Sequence, residues 1–134
     1  MATDDTQMQN GKNDSFANLY PSEFVVLTTL RKDGRAVPTT VWFTHNDGKI
    51  YITTSTTTGK IKRVRNNGRV YLAPSDRVGN VSGERVEGQA HEVPQSEHER
   101  VRQLFLAKYP QFAAMTGAGG PRSGERTYIE VVPL

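Results

Sequence analysis

The sequence predicts a mainly β fold with minor α content, a small antiparallel barrel of about six strands with two or three short helices. Three observations carry that prediction. Short runs rich in β-branched and aromatic residues recur at 24–30, 36–44, 49–54, 69–74, 84–93 and 127–132. Two Asp-Gly dipeptides, Asp33-Gly34 and Asp47-Gly48, join the first three runs and make them antiparallel neighbours. Only two stretches, beginning near Gly59 and Ser96, show helical spacing.

The elements follow in order. Residues 1–15 lack periodicity and are rich in Asp, Asn, Gln and Thr, so a disordered tail is expected, with one domain over 16–134. The run 24–30 (FVVLTTL) is a strand. In 36–44 (AVPTTVWFT), Val37, Thr39, Val41 and Phe43 share one face, and Pro38, Thr40 and Trp42 share the other. Ile50 and Ile52 alternate with Tyr51 and Thr53 in the third strand, completing a meander. The hydroxyl-rich loop 55–59 then enters a short helix over 59–67, ended by Gly68, whose Ile61 and Val64 face the core while Lys60 and Arg63 share a neighbouring face. A fourth strand (69–74), a loop (75–83) and a fifth strand (84–93), with Gly88 at a bulge or close approach, come next. Ser96 and Glu99 form a capping-box pattern before a helix that stops at Pro110. The Gly-rich 111–124 segment reads as a helical turn and mobile loop, and 127–132 (TYIEVV) closes the domain.

At 134 residues the chain holds enough material for one core, and at 35% hydrophobic residues that core is modest. Cys is absent, which excludes disulfides, thiolate metal sites and a Cys nucleophile. No apolar stretch is long enough to span a membrane and the N-terminus has no signal-like apolar core, so a cytoplasmic protein without membrane attachment is expected. His45, His91 and His98 lack metal-ligand spacing, and the order around Ser82 misses the nucleophile elbow by one position. No metal site and no catalytic side chain is assigned.

Charge is placed unevenly. The chain carries +3 overall, yet 49–75 contains no Asp or Glu and six cations: Lys49, Lys60, Lys62, Arg63, Arg65 and Arg69. A basic window on an otherwise mildly acidic domain reads as a local anion site, or more simply as a solvated helix face. Within it, a strand delivers hydroxyls into a helix N-terminus with Lys60 in the first turn, the ingredients of a phosphate receptor. The Walker A pattern is broken at Thr54 and Ile61, so nucleotide hydrolysis is not supported. The simpler alternative makes Thr57 or Thr58 a helix cap and leaves Lys60 facing solvent. Pro38 cannot donate to a ladder and marks an edge where a ligand can meet backbone groups. Trp42, the single Trp, reads as core or dimer-interface packing.

The segments LTTLRKDGRAVPTTVWF, KIYITTSTTTGKIKRVRNNGRVYLAPSD and VEGQAHEV together resemble the pyridoxamine-phosphate-oxidase-like flavin and deazaflavin oxidoreductases, over roughly 24–93. The G-K-x-K-R-x-R-N-N helix is most similar to the deazaflavin-dependent branch. The resemblance implies an FMN-binding-type split β-barrel, a homodimer, and a cofactor that is the deazaflavin coenzyme F-420, with FMN as the alternative. It implies that Pro38, Thr39, Thr40 and Val41 line the ring and its ribityl chain. Thr53, Thr54, Ser55, Gly59 and Lys60 would hold chain hydroxyls and phosphate, with Arg63 a looser assignment that a carboxylate could claim instead. The implied reaction is hydride transfer to an unsaturated small molecule. Two readings from other classes stand beside it, a non-catalytic cofactor carrier and a basic nucleic-acid-binding barrel. Nucleic acid is disfavoured, because the cations cluster on one short helix without an interleaved aromatic platform.

Overall fold

The structure, a computed structural model, describes residues 15–109 and 126–134. The expected tail, apart from an exposed Ser15, and the 111–124 segment lie outside the described residues. Six strands close a barrel in the order β1-β2-β3-β6-β5-β4, with every neighbouring pair antiparallel. They are β1 (Phe24–Leu30), β2 (Ala36–Asn46), β3 (Lys49–Ser55), β4 (Arg69–Ser75), β5 (Val86–Glu92) and β6 (Arg126–Pro133). Helix α1 (Gly59–Asn66) follows β3, and α2 (His98–Lys108) follows β5. The mainly β barrel is as the sequence predicts.

The two Asp-Gly turns differ. Asp47 and Gly48 both have positive φ, 54° and 75°, between the paired Asn46 and Lys49, which is the two-residue turn that matches strand twist. The first is wider than expected: Arg31 N–H bonds Arg35 C=O, and Gly34 N–H bonds Arg31 C=O. Only Gly34 (φ 90°) is left-handed, so 32–34 form a three-residue loop of the type I plus bulge kind. Asp33 accepts from the Arg35 backbone N–H at 3.0 Å and from its guanidinium at 2.8 Å, which holds the wider loop.

The barrel interior is filled by alternate residues of each strand. Val25 and Leu27 of β1, Val41 and Phe43 of β2, Ile50 and Ile52 of β3, and Ile129 and Val131 of β6 are buried in one cluster. Ile61 and Val64 of α1 join it, so this helix plugs one end of the barrel, as their spacing predicts. Phe16, just before a 3-10 turn at Ala17–Leu19, and Leu19, its last residue, are both fully buried, and the turn is too short to leave a periodic trace in sequence. Gly88 is a close approach, because a Cβ there would lie 2.5 Å from Val131 Cγ1 and 3.2 Å from Phe16 Cζ.

Helix α2 covers the outside of the barrel. Val101 and Phe105 are fully buried against Tyr51, Tyr128 and Val93, with Trp42 and Leu104 at the margin. The expected capping box does not form. Ser96 sits inside a 3-10 turn at Gln95–Glu97, closed by Glu97 N–H to Pro94 C=O, and Glu99 bonds Gln103 instead of reaching back. Beyond the last turn, the Tyr109 hydroxyl donates to a backbone carbonyl (Glu23 and Phe43 C=O both lie at 2.6 Å) and accepts from Phe43 N–H at 3.2 Å. The β1–β2 ladder ends at Phe24 and Trp42, so this one hydroxyl serves the β2 groups for which β1 has no partner.

Lys108 is half-buried. Its ammonium sits 3.5 Å from the Phe43 ring centroid and bonds Ser22 C=O at 3.0 Å, yet burial pushes its pKa down to about 8. A lysine with a depressed folded pKa penalises folding while charged, and that penalty fades as pH rises from about 8 toward the unfolded value of 10.5. Urea melts should therefore show stability rising from pH 8 to 10. Above that, burial of Tyr109, Tyr51 and Tyr128 raises their pKa values and reverses the slope, because the unfolded phenols ionise first. Lys108→Met is expected to abolish the rise; a retained rise would assign it to another group.

Candidate functional site

Strand β2 changes partner along its length. It pairs with β1 from Ala36 to Trp42, and with β3 only from Phe43↔Ile52 to Asn46↔Lys49. On its other edge β3 pairs with β6 from Ile50↔Val131 to Ser55↔Arg126, so beyond Ile52 it keeps β6 while the β2 edge is left open. The β2–β3 ladder thus opens just where Val41 would oppose Thr54 and Thr40 would oppose Ser55. One edge of 38–41 and one edge of 53–55 lie on opposite sides of this split, two backbone rims that no longer bond each other. Pro38 at the rim lacks an N–H, as an edge position tolerates.

The two segments predicted from sequence thus border one opening. Opposed residues of a ladder share a face, so Thr39 and Val41 point with Leu27 and Val25 into the barrel, while Pro38 and Thr40 lie with Thr28 and Val26 on its outside. Thr54 follows Ile52 inward and is buried; Thr53 and Ser55 lie on the outer face.

Hydroxyls crowd the passage from β3 into α1. Thr54 Oγ1 and Thr58 Oγ1 lie 2.9 Å apart, and Ser55 Oγ lies 3.1 Å from Thr57 Oγ1. Thr58 occupies the N-cap position, but its hydroxyl donates back to Ser55 C=O at 3.2 Å and makes no capping bond to the first turn. The simple capping role open to Thr57 or Thr58 is therefore not observed. Thr53 Oγ1 accepts from Arg126 Nη2 at 3.0 Å. Gly59 makes room for a cation: a Cβ there would lie 2.6 Å from Arg63 Nη1.

Arg63 carries the electrostatics. Its Nε donates to the buried Thr29 hydroxyl at 2.6 Å, and among the described residues no carboxylate lies within ion-pair distance of it. Burial first, and the neighbouring Arg31 second, push its pKa down. Two cations near each other, one partly desolvated and neither in ion-pair contact with a carboxylate of the described residues, though Asp33 acts on Arg31 at longer range, favour an anion between or beside them. Arg65 differs: Glu92 pairs with it at 2.8 Å and draws off its charge. Lys60 is partly buried on the same helix.

Sequence reasoning missed Thr29, Arg31, Arg126 and Gly79. Thr29 and Arg126 reach the site through strand register, which has no sequence motif, and Arg31 through the wider hairpin loop. Gly79 arrives by loop folding: a Cβ on it would lie 2.8 Å from Thr40 Oγ1. The histidines are all structurally engaged. His45 stacks on Tyr20 at 3.7 Å, His91 contacts Glu130 at 2.9 Å, and His98 Nε2 lies 3.0 Å from Val93 C=O. Among the described residues no group of three metal-ligating side chains forms, and no helix is long and apolar enough to cross a membrane.

The model of the pyridoxamine 5'-phosphate oxidase family matches residues 15–134. The chain belongs to that family. Solved structures with the same fold include a conserved hypothetical protein from Mycobacterium tuberculosis, at 22% identity and a TM-score of 0.65, covering 92% of this chain and 79% of that one. A FAD-binding protein from Mesorhizobium loti matches at 17% identity and 0.63, covering 88% and 86%. An F420-H2 dependent reductase matches at 19% identity and 0.60, covering 81% and 93%. No curated protein matches the chain.

Proposed function

We propose that this family member is an oxidoreductase that uses the deazaflavin coenzyme F-420 for hydride transfer to an unsaturated small-molecule substrate, and that it works as a homodimer. The observation that carries the reading is the opening between β2 and β3, with hydroxyls on one rim and the cations of α1 beside it. The donor set fits an anionic, polyhydroxylated group. Lys60 and Arg63 would take its phosphate, Thr53, Thr54 and Ser55 its chain hydroxyls, and the 38–41 rim its flat ring. The coenzyme, when bound, supplies the hydride from ring carbon 5. The chain's part is to bind, orient and exclude water, which fits the absence of an evident acid or base among the rim residues. FMN is the second reading, supported by the FAD-binding relative of the same fold.

The dimer reading rests on the outer face of β1 and β2, where the half-buried Trp42 and Phe24 form one row and the half-buried Thr40 and Val26 the next, beside the buried Ser75 and Ala73 of β4. Val78 and Val81 stand exposed on the loop that follows β4. A second copy is the proposed occupant of this largely apolar face.

Titration with F-420 and with FMN, followed by cofactor or Trp42 fluorescence, tests the reading. Saturable binding of F-420 tighter than FMN is expected, with a sedimentation mass twice the 14.9 kDa chain. A yellow protein that retains FMN transfers the role to that cofactor. Salt-sensitive nucleic-acid binding with neither cofactor bound would replace the reading altogether.

A further inference from the structure

We infer that the loop between β4 and β5 is a positioning element for the Thr40 hydroxyl, with Asp76 holding the loop and Gly79 setting its approach. The inference rests on the proposed role of Thr40 in lining the cofactor. Asp76 organises the loop with several bonds. Its Oδ1 accepts from Val78 N–H at 3.0 Å and Asn80 N–H at 2.9 Å, and its Oδ2 accepts from Asn80 Nδ2 at 2.9 Å. The backbone adds Gly79 N–H to Asp76 C=O and Asp76 N–H to Asn80 C=O, both at 3.2 Å, and Ser75 bridges to Val81. Five bonds over five residues make a stiff loop whose geometry one carboxylate dictates.

The apex of that loop meets β2. Gly79 has φ +94°, and a Cβ placed there would stand 2.8 Å from Thr40 Oγ1, closer than a real Cβ comes to a neighbouring heavy atom. Thr40 lies on the outer face at the split, with Val26 opposite it on β1 and no β3 partner on its other side. One flank of its hydroxyl is therefore bounded by the glycine, and its backbone belongs to the rim of the opening. A rotamer that moves toward the loop is restricted by the Gly79 backbone, so the loop limits where the Oγ1 can point.

A double-mutant cycle on cofactor affinity separates this from a merely structural loop. Gly79→Ala is expected to raise the Kd for F-420 (or for FMN, if that cofactor binds) about 10-fold, and to change it less than about 2-fold in a Thr40→Ala background, where the struck atom is gone. Because an alanine at positive φ is strained, Asp76→Ala provides a second variant that keeps the glycine and frees the loop. It is expected to raise Kd about 3-fold or more with Thr40 present and not with Thr40→Ala, while Asp76→Asn, which keeps an acceptor oxygen, restores binding. Equal effects in both backgrounds would overturn the inference, as would wild-type Kd values in both loop variants. In either case a weakened Lys60→Ala would leave the proposed function standing. A wild-type chain that binds neither F-420 nor FMN would overturn both.

Discussion

Lys60→Ala is expected to weaken binding of the anionic cofactor by about 10- to 100-fold, the range that one lost charge-assisted hydrogen bond accounts for. The same change should leave the thermal midpoint within a few degrees, since Lys60 is partly exposed and the core contacts of α1 come from Ile61 and Val64. That separation between affinity and stability is the informative result. Arg63→Ala would be less clean, because Arg63 also serves the buried Thr29 hydroxyl, and losing it leaves that group without its partner. Binding should also weaken with added salt, as it must if cations of α1 and the β1–β2 loop supply the attraction. An unchanged Kd in Lys60→Ala would remove the phosphate from this helix and the proposed seat with it.

Phe105→Ala is expected to cost about 3–5 kcal/mol of unfolding free energy, the largest effect of any substitution considered. Phe105 is fully buried, with ring centroids of Tyr128 and Tyr109 at 5.8 and 6.1 Å. Removing it hollows the contact between α2 and the barrel. It also loosens Tyr109, whose hydroxyl completes β2 at Phe43 and whose ring stacks on Trp42 at 4.7 Å. Tyr109→Phe, which keeps the ring and strands the backbone groups of Phe43, should cost about 1–3 kcal/mol. Urea denaturation of both variants checks the order. A Phe105→Ala loss below that of Tyr109→Phe would show that α2 is held by the hydroxyl rather than by its apolar face.

Most strands were legible because each signal is local. A run such as Phe24–Leu30 states its own strand preference through β-branched and apolar residues, and Asp47-Gly48 states its own turn. The misreadings share a cause. Asp33-Gly34 looks like the second turn, yet the extra loop residue and the Asp33–Arg35 contacts select a wider one. Ser96 and Glu99 have the spacing of a capping box, but Pro94 starts a 3-10 turn first. Ala17–Leu19 has no period to read, although Phe16 and Leu19 belong to the core.

For the site, residue types and their order along the chain were enough to single out the hydroxyls entering a helix start with Lys60 and the edge at Pro38, because that chemistry travels with each residue, while the fuller set over 38–41, 53–55, Gly59 and Arg63 came from the family resemblance. Their meeting was decided by tertiary structure. Strand β3 keeps β6, contributed from the far end of the chain, on one edge from Ile50 to Ser55, while on its other edge the ladder to β2 stops at Phe43 and Ile52. The same long-range pairing brings Arg126 to Thr53, while helix packing sets Thr29 under Arg63 and loop folding leaves Gly79 against Thr40. Such contacts depend on register between distant segments, and register is a property of the closed barrel rather than of any stretch of sequence within it.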